Sequence, residues 1–443
     1  MAKLTLKQAA QMCGGYVEPQ YENIEFFGAN NDTRIIRPGQ LFVVLQGARD
    51  GHDFIPMAME KGAAAALCSR KVGDFPAIYV EAPRIALGQI AKAELDRIGC
   101  RKVGVTGSVG KSTTKEMISS VLESTYRVSK TPANHNNDIG MPMAVLSMEE
   151  DTEVAVLEMG MNHFREIAYL SDIAKPDVGV IINVGTMHIE YLGSREGIRK
   201  AKMEIVEGMS ADGQLLLNGD NDLLRNLEET PVQPVTYFGS DADCGVRAMN
   251  VRQEPGLLCF DVRAGEKTFP VEMALEGEHI VSDALAAVAV GLKMEVSVER
   301  IQQALAAFQN MAGRQEIFEK NGYTIIKDCY NAGPESMAAA LNVLSGRKGR
   351  KIAVLGDMLE LGDCAPAEHE KLGKLAAEKA DLIFAYGPNA VYVAKGSGGK
   401  ALVFDDHAKL AENLKAAAQK GDVILFKGSR GMHMEYSLEH FLK

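Results

Sequence analysis

Apolar and polar positions along the chain follow two periods, about 2 and about 3.6 residues, and their succession divides the chain into three stretches. In the first, apolar runs at 41–45 and 77–81 read as strands, and helical patterns at 53–66 and 84–98 complete a small α/β unit. The second begins with a strand at 102–106 that runs into a Gly-rich turn and a helix. Further strands follow at 154–158, 178–184 and 214–218 with helical patterns between them. Strands that alternate with helices predict a mostly parallel sheet covered on both faces. Between 234 and 274 the pattern changes to short strands at 246–251, 257–262 and 268–273, read as an antiparallel elaboration of the same domain, and helices at 279–293 and 298–308 follow.

After Gly313 the alternation restarts. Strands are expected at 323–327, 351–355, 381–386, 401–404 and 422–426, with helices at 334–344, 365–379 and 407–419, a doubly wound unit of Rossmann type. No GxGxxG follows its first strand, which disfavours a dinucleotide cofactor there. The expected fold class is α/β in three domains, at residues 1–100, 101–312 and 313–443.

Composition narrows the class. The 443 residues are 46% hydrophobic and 24% charged, which excludes disorder, a collagen repeat and a disulfide scaffold. The net charge is −11 with no block of like charge, so no nucleic acid is expected as a partner. The seven cysteines are scattered and form no CxxC pair, so they read as reduced packing residues of a cytoplasmic protein. Lys3, Lys7 and Gln8 interrupt the N-terminus before a signal-peptide core can form, and the most apolar stretches, at 62–68 and 178–184, fall far short of the ~20 residues of a spanning helix. No membrane span is expected.

The sharpest motif is Val103-Gly-Val-Thr106-Gly107-Ser108-Val109-Gly110-Lys111-Ser112-Thr113-Thr114, placed where a strand ends and a helix begins. Glycines let successive backbone N–H groups converge on phosphate oxygens, the helix N-terminus adds its positive dipole end, Lys111 reaches terminal phosphates, and the Ser112 hydroxyl can ligate Mg²⁺. Val105 stands where the strict eight-residue motif has its first Gly, leaving a tighter Thr106-Gly107-x-x-Gly110-Lys111-Ser112 loop.

Further segments follow in a fixed order: Thr131-Pro-Ala-Asn134-His-Asn136-Asn137-Asp-Ile-Gly140-Met-Pro142, Glu158-Met-Gly-Met-Asn162, Asn183-Val-Gly-Thr-Met-His188, Ala201-Lys202, Gly313-Arg314 and Lys327-Asp328-Cys-Tyr330-Asn331. Over nearly the whole chain they resemble the Mur ligase family, the ATP-dependent amide-forming enzymes of peptidoglycan synthesis, with its folylpolyglutamate synthetase relatives. Asp32-Thr33-Arg34, Pro38-Gly-Gln-Leu-Phe42, Asp50-Gly-His-Asp-Phe54, Leu355-Gly-Asp-Met-Leu-Glu-Leu-Gly362 and Lys427-Gly-Ser-Arg430 resemble one branch, which adds D-alanyl-D-alanine to UDP-N-acetylmuramoyl-tripeptide. The resemblance implies a small N-terminal substrate domain, a central ATP and Mg²⁺ domain and a C-terminal Rossmann-like ligase domain.

Such a reaction explains the residue types. A carboxylate must be activated as an acyl phosphate by attack on the γ-phosphate of ATP, and the repulsion between two anions calls for Mg²⁺, a cationic clamp and oriented N–H donors. Lys111 and the amides of 106–113 supply part of this. Glu158 closes an apolar run at the carboxyl edge of the sheet, and with Ser112 and His188 it offers the oxygen and imidazole ligands Mg²⁺ accepts. Standing alone, Glu158 and His188 read more often as surface or packing residues than as functional ones, and Lys202 reads first as part of a solvated basic face. The resemblance makes Lys202 the candidate for carbamylation by CO₂, which would turn it into an oxygen ligand for Mg²⁺. It also implies that Arg314 crosses to the ATP phosphates on closure near Gly313, against a hinge salt bridge as the alternative, and that Asp328 accepts from the ribose hydroxyls.

Tyr330, Asn331 and Arg430 are expected near the incoming dipeptide or the acyl phosphate. Thr33 and Arg34 align with the part that holds the UDP-sugar, Arg34 suiting a diphosphate, with an exposed salt bridge as the rival reading. Asn134, Asn136 and Asn137 are candidates for the substrate, or for a purely structural turn. In many family members a His-Asn-x-x-Asn segment reads the adenine, whereas this chain has His279-Ile-Val-Ser282-Asp283. An ionised Asp283 could accept from the exocyclic amino group and so favour ATP over GTP or ITP. A sister ligase with another amine acceptor, a P-loop ATPase with none, and a regulatory protein that has lost catalysis are the alternatives; Lys111, Glu158, His188 and Lys202 are all present. A monomer is expected.

Overall fold

The computed structural model describes residues 3–47, 49–254 and 256–443. Val103 and Val105 of the strand Arg101–Thr106 point to one face of a nine-stranded sheet, while Ala155, Leu157 and Ile181 of its neighbours point to the other. The first face is covered by the helices Lys111–Glu123 and Ile280–Lys293, the second by Pro83–Ile98, Glu166–Ala174 and Arg195–Met203. Burial on both sides is why these strands read as continuous apolar runs. Arg101–Thr106 lies between Val154–Glu158 and Val178–Ile181, parallel to both, so the turn after it opens at the carboxyl edge in the middle of the sheet. At one end Val246–Glu254 joins the sheet parallel to Val235–Gly239, and Leu257–Ala264 and Lys267–Met273 follow it antiparallel, the elaboration expected.

The N-terminal stretch forms a five-stranded sheet around Leu41–Val43, Ala65–Cys68 and Ala77–Tyr79, with a separate pair Leu4–Thr5 and Glu25–Phe26. Here the helix expected at 53–66 is corrected. Ile55–Glu60 is helical, the chain turns at Gly62 with φ +89°, and Ala65–Cys68 is a fully buried strand. Alanine-rich sequence favours a helix locally, but a site between two strands decided the outcome. The helix Pro83–Ile98 serves two cores, placing Leu87 and Ile90 against the N-terminal sheet and Ala91 and Leu95 against the central one. Gly88 of this helix lies against the Tyr169 hydroxyl, where a Cβ would collide.

The third sheet is six-stranded in the order Glu316–Lys320, Tyr323–Asp328, Val423–Lys427, Lys351–Gly356, Leu382–Tyr386, Ala401–Phe404. Its last five strands are parallel and flanked by helices. Three elements were not expected: the antiparallel edge strand Glu316–Lys320 and the helices Ala390–Gly396 and Met434–Leu442. Among the described residues no helix is long and apolar enough to cross a membrane.

Candidate active site

Where the strand Arg101–Thr106 ends, the chain turns through Gly110, whose φ of +84° favours glycine, into the helix that begins at Lys111. A Cβ on Gly110 would stand 2.8 Å from Asp283 Oδ1, so the close packing of Asp283 excludes a side chain there too. Asn183 holds the loop open: its Oδ1 accepts from the Ser108 and Val109 amides at 3.0 Å each, and its Nδ2 donates to Val109 O. Gly185 N–H donates to Ser108 Oγ at 2.9 Å. Lys111 folds back to donate to Gly107 O at 2.8 Å, and burial lowers its pKa. Thr106 Oγ1 is buried without a partner, and Thr113 is half-buried on the same wall.

Glu158 ends its strand level with Val105 and is 1% exposed. Its own N–H donates to Thr131 Oγ1 at 3.0 Å, and Oε1 accepts from Asn136 Nδ2 at 2.9 Å. Oε2 is buried with no hydrogen bond and faces the fully buried Lys115, whose ammonium lies 3.7 Å away and donates to Thr131 O. Asn136 therefore touches a candidate metal ligand directly. Asn137 caps the following helix by accepting from Gly140 N–H at 2.7 Å, and Asn134 is exposed.

His188 adopts φ +66°, and its Nδ1 lies 2.9 Å from Glu360 Oε2, an ion-pair distance to a residue of the loop after the strand Lys351–Gly356. Lys202 is buried on the helix Arg195–Met203, and desolvation, then the Lys111 charge, depresses its pKa well below the lysine range. Asp283 accepts from the Thr114 hydroxyl at 2.6 Å, and burial pushes its pKa up to about 7. That corrects the expectation of a fully ionised carboxylate: near neutral pH the group holds its proton a good part of the time.

From the third domain, Arg314 donates to Ser112 Oγ at 2.9 Å and lies over the Tyr330 ring at 4.1 Å. Asp328 Oδ2 accepts from the buried Lys427 ammonium at 2.6 Å. Asn331 and Arg430 are exposed on the rim, Arg430 beside Glu435 at 3.3 Å. Residues 108–113, Asn134, Asn136, Asn137, Glu158, Asn183, His188, Asp283, Arg314, Asp328, Tyr330, Asn331, Glu360, Lys427 and Arg430 line one cleft of about 1590 Å³, which also reaches Arg84 and Ile85 at the N-terminal side; Thr106, Gly107 and Lys202 are outside its lining. Thr33 and Arg34 are not in its lining. Thr33 is buried, and Arg34 is exposed and forked onto Asp32 at 2.6 Å, so the salt bridge weighed for Arg34 is formed.

Among the described residues no three His, Cys, Asp or Glu side chains converge as a metal cluster. A cation that keeps most of its waters needs only a few protein ligands, and Glu158 Oε2, which makes no hydrogen bond and lines the same cleft as Ser112, suits one.

Residues 105–291 match the Mur ligase middle domain and 313–430 the Mur ligase glutamate ligase domain. Over 98% of this chain and 97% of the relative, the sequence is 41% identical to the UDP-N-acetylmuramoyl-tripeptide–D-alanyl-D-alanine ligase of Bacillus subtilis. The chain belongs to the Mur ligase family. The corresponding Escherichia coli ligase is 34% identical, with 98% and 97% covered. In structure, this Mur ligase is similar to MurF from Acinetobacter baumannii, with TM-score 0.93, 32% identity, and 100% and 99% of the chains covered. It is also similar to MurF from Thermotoga maritima in complex with ADP, with TM-score 0.85, 32% identity, and 94% and 97% covered.

Sequence reasoning on the ligase did not single out Lys115, Asn183, Glu335, Glu360 or Lys427 for their contacts. Asn183, Glu360 and Lys427 stood inside quoted segments, but their partners lie 74, 172 and 99 positions away.

Proposed function

We propose that this ligase joins D-alanyl-D-alanine to UDP-N-acetylmuramoyl-tripeptide, converting ATP to ADP and phosphate through an acyl phosphate. One observation carries the reading: a single cleft holds the phosphate loop, Glu158 and His188 on one wall and Arg314, Asp328 and Tyr330 on the other. Residues 1–100 would receive the UDP-sugar, 101–312 ATP, and 313–443 the dipeptide.

The tripeptide carboxylate oxygen attacks the γ-phosphorus of ATP and ADP leaves; the dipeptide amine then attacks the acyl carbon and phosphate leaves with the carboxylate oxygen. Loop amides from Gly110 to Thr113 orient the phosphates, Asn183 holds the Ser108 and Val109 amides that shape the loop, and Lys111 exchanges its carbonyl partners for phosphate oxygens. Arg314, bonded to Ser112 at the head of the same helix, adds a second cation there. Asp328 accepts from ribose hydroxyls while Lys427 fixes its orientation, and Asp283 faces the base side. Tyr330, Asn331 and Arg430 border the entry of the dipeptide. Ser112, Glu158 and His188 would hold Mg²⁺, which neutralises charge between the two anions. Lys202, buried where an ammonium is costly, suits carbamylation, which exchanges the cation for an anionic oxygen donor. Cytoplasmic location and a monomeric state complete the proposal.

The test is acceptor-dependent ADP release with the UDP-tripeptide present. D-alanyl-D-alanine should trigger it; triggering by glutamate or diaminopimelate instead identifies a sister ligase, and release without acceptor an ATPase.

A further inference from the structure

Three charged side chains of the third domain cross the cleft to the phosphate-loop side: Arg314 to Ser112 Oγ, Glu360 to His188, and Glu335 to Thr186. The first two occupy groups that ATP and Mg²⁺ would claim. Glu335 does not. Its Oε1 accepts from the Thr186 amide at 2.9 Å and from the Thr186 hydroxyl at 3.2 Å, and a Cβ on Gly185 would stand 2.5 Å from Oε1. Oε2 is buried without a hydrogen bond. Arg195 feels the Glu335 charge and itself holds Val184 O at 2.9 Å.

The segment it grips is short and stiffly connected. Asn183 and Gly185 bond the phosphate loop, Glu335 bonds Thr186, and His188 follows two residues later. Glu335 is fixed in turn, at the start of the helix Pro334–Gly346, where its charge suits the dipole. We infer that Glu335 is a positioning residue: it latches the third domain onto the 183–188 segment and so sets the register of Arg314 and His188 against the phosphate loop when the cleft is closed. It leaves Ser112 and Lys111 free for nucleotide, and the Arg347–Glu276 ion pair joins the same two domains away from the cleft. The inference rests on the ligase reading for its kinetic readout and for the two ligands, ADP and UDP-tripeptide, that drive compaction.

The experiment compares Glu335→Ala, Glu335→Asp and Glu335→Gln with wild type. Gln keeps an acceptor at the same reach, whereas Asp keeps the charge and the dipole interaction but draws back by one methylene. ADP affinity by calorimetry should stay within about threefold for all three, because Glu335 touches no group assigned to the nucleotide. Compaction on adding ADP and UDP-tripeptide, read by small-angle scattering, should be lost in Ala and Asp and kept in Gln. In the same variants kcat should fall about tenfold or more with little change in KM for ATP, and Gln should restore it. Compaction and kcat at wild-type levels in Asp, or a Gln variant as impaired as Ala, overturn the latch. If Ala does not fold, the Asp and Gln pair carries the same comparison. Compaction is measured without acceptor, so a failed ligase assay leaves it interpretable.

Discussion

On the central-domain side of the cleft, functional groups are held by their own domain: Asn183 fixes the loop amides, and Thr131 and Asn136 fix Glu158. On the third-domain side, Arg314, Glu335 and Glu360 find their partners across the gap. The first wall is held within its own domain, and the second takes its geometry from contacts across the cleft. Binding of phosphate should therefore depend on the first wall, and turnover on both.

The comparison breaks most visibly at Lys111. Lys111→Ala should reduce ATP turnover by about 10³-fold or more with Tm little changed, since this side chain bonds only loop carbonyls in the unliganded loop. Wild-type turnover in that variant would remove the loop from the chemistry. Lys202→Ala should be nearly inactive, and millimolar bicarbonate or a small carboxylate should partly restore it if carbamylation is right. No rescue, with an unmodified lysine mass in the wild type, would leave Lys202 a plain cation.

On the docking wall a smaller effect is expected. Lys427→Met should raise KM for ATP about tenfold, because Asp328 loses the ammonium that aims it. An unchanged KM would separate Asp328 from nucleotide binding. The smallest effect is at Asp283. Its pKa of about 7 against 3.8 unfolded means that the folded state holds the extra proton, so stability from this group falls as pH rises from about 4 to 7 and is level above. Asp283→Asn should flatten that slope and raise Tm by a few degrees at pH 8 without nucleotide. The same variant should relax selection of ATP over ITP; equal kcat/KM for both in the wild type would show that Asp283 does not read the base.

These two walls also differ in how legible they are in sequence. The phosphate loop and Glu158 sit at strand ends, and His188 in the loop after Val178–Ile181, of one alternating pattern, so periodicity and local motif place them on one edge. Glu335 offers no such signal: an acidic residue after Pro334 reads as an ordinary helix start. Its role depends on the Gly185–Thr186 backbone 149 residues earlier in the chain. Asp283 was legible as a departure from the family pattern, but its protonation was not, because burial beneath Gly110 is a property of the packed helices. In the N-terminal unit, the strand Ala65–Cys68 was hidden by alanine's helical preference.

The most direct measurement of the proposed chemistry follows oxygen. UDP-tripeptide labelled with ¹⁸O in its terminal carboxylate, incubated with ATP and D-alanyl-D-alanine, should release phosphate carrying one ¹⁸O per amide bond formed, because the carboxylate oxygen that attacks the γ-phosphorus leaves with it. Phosphate that carries no label while pentapeptide accumulates would contradict an acyl phosphate in this cleft.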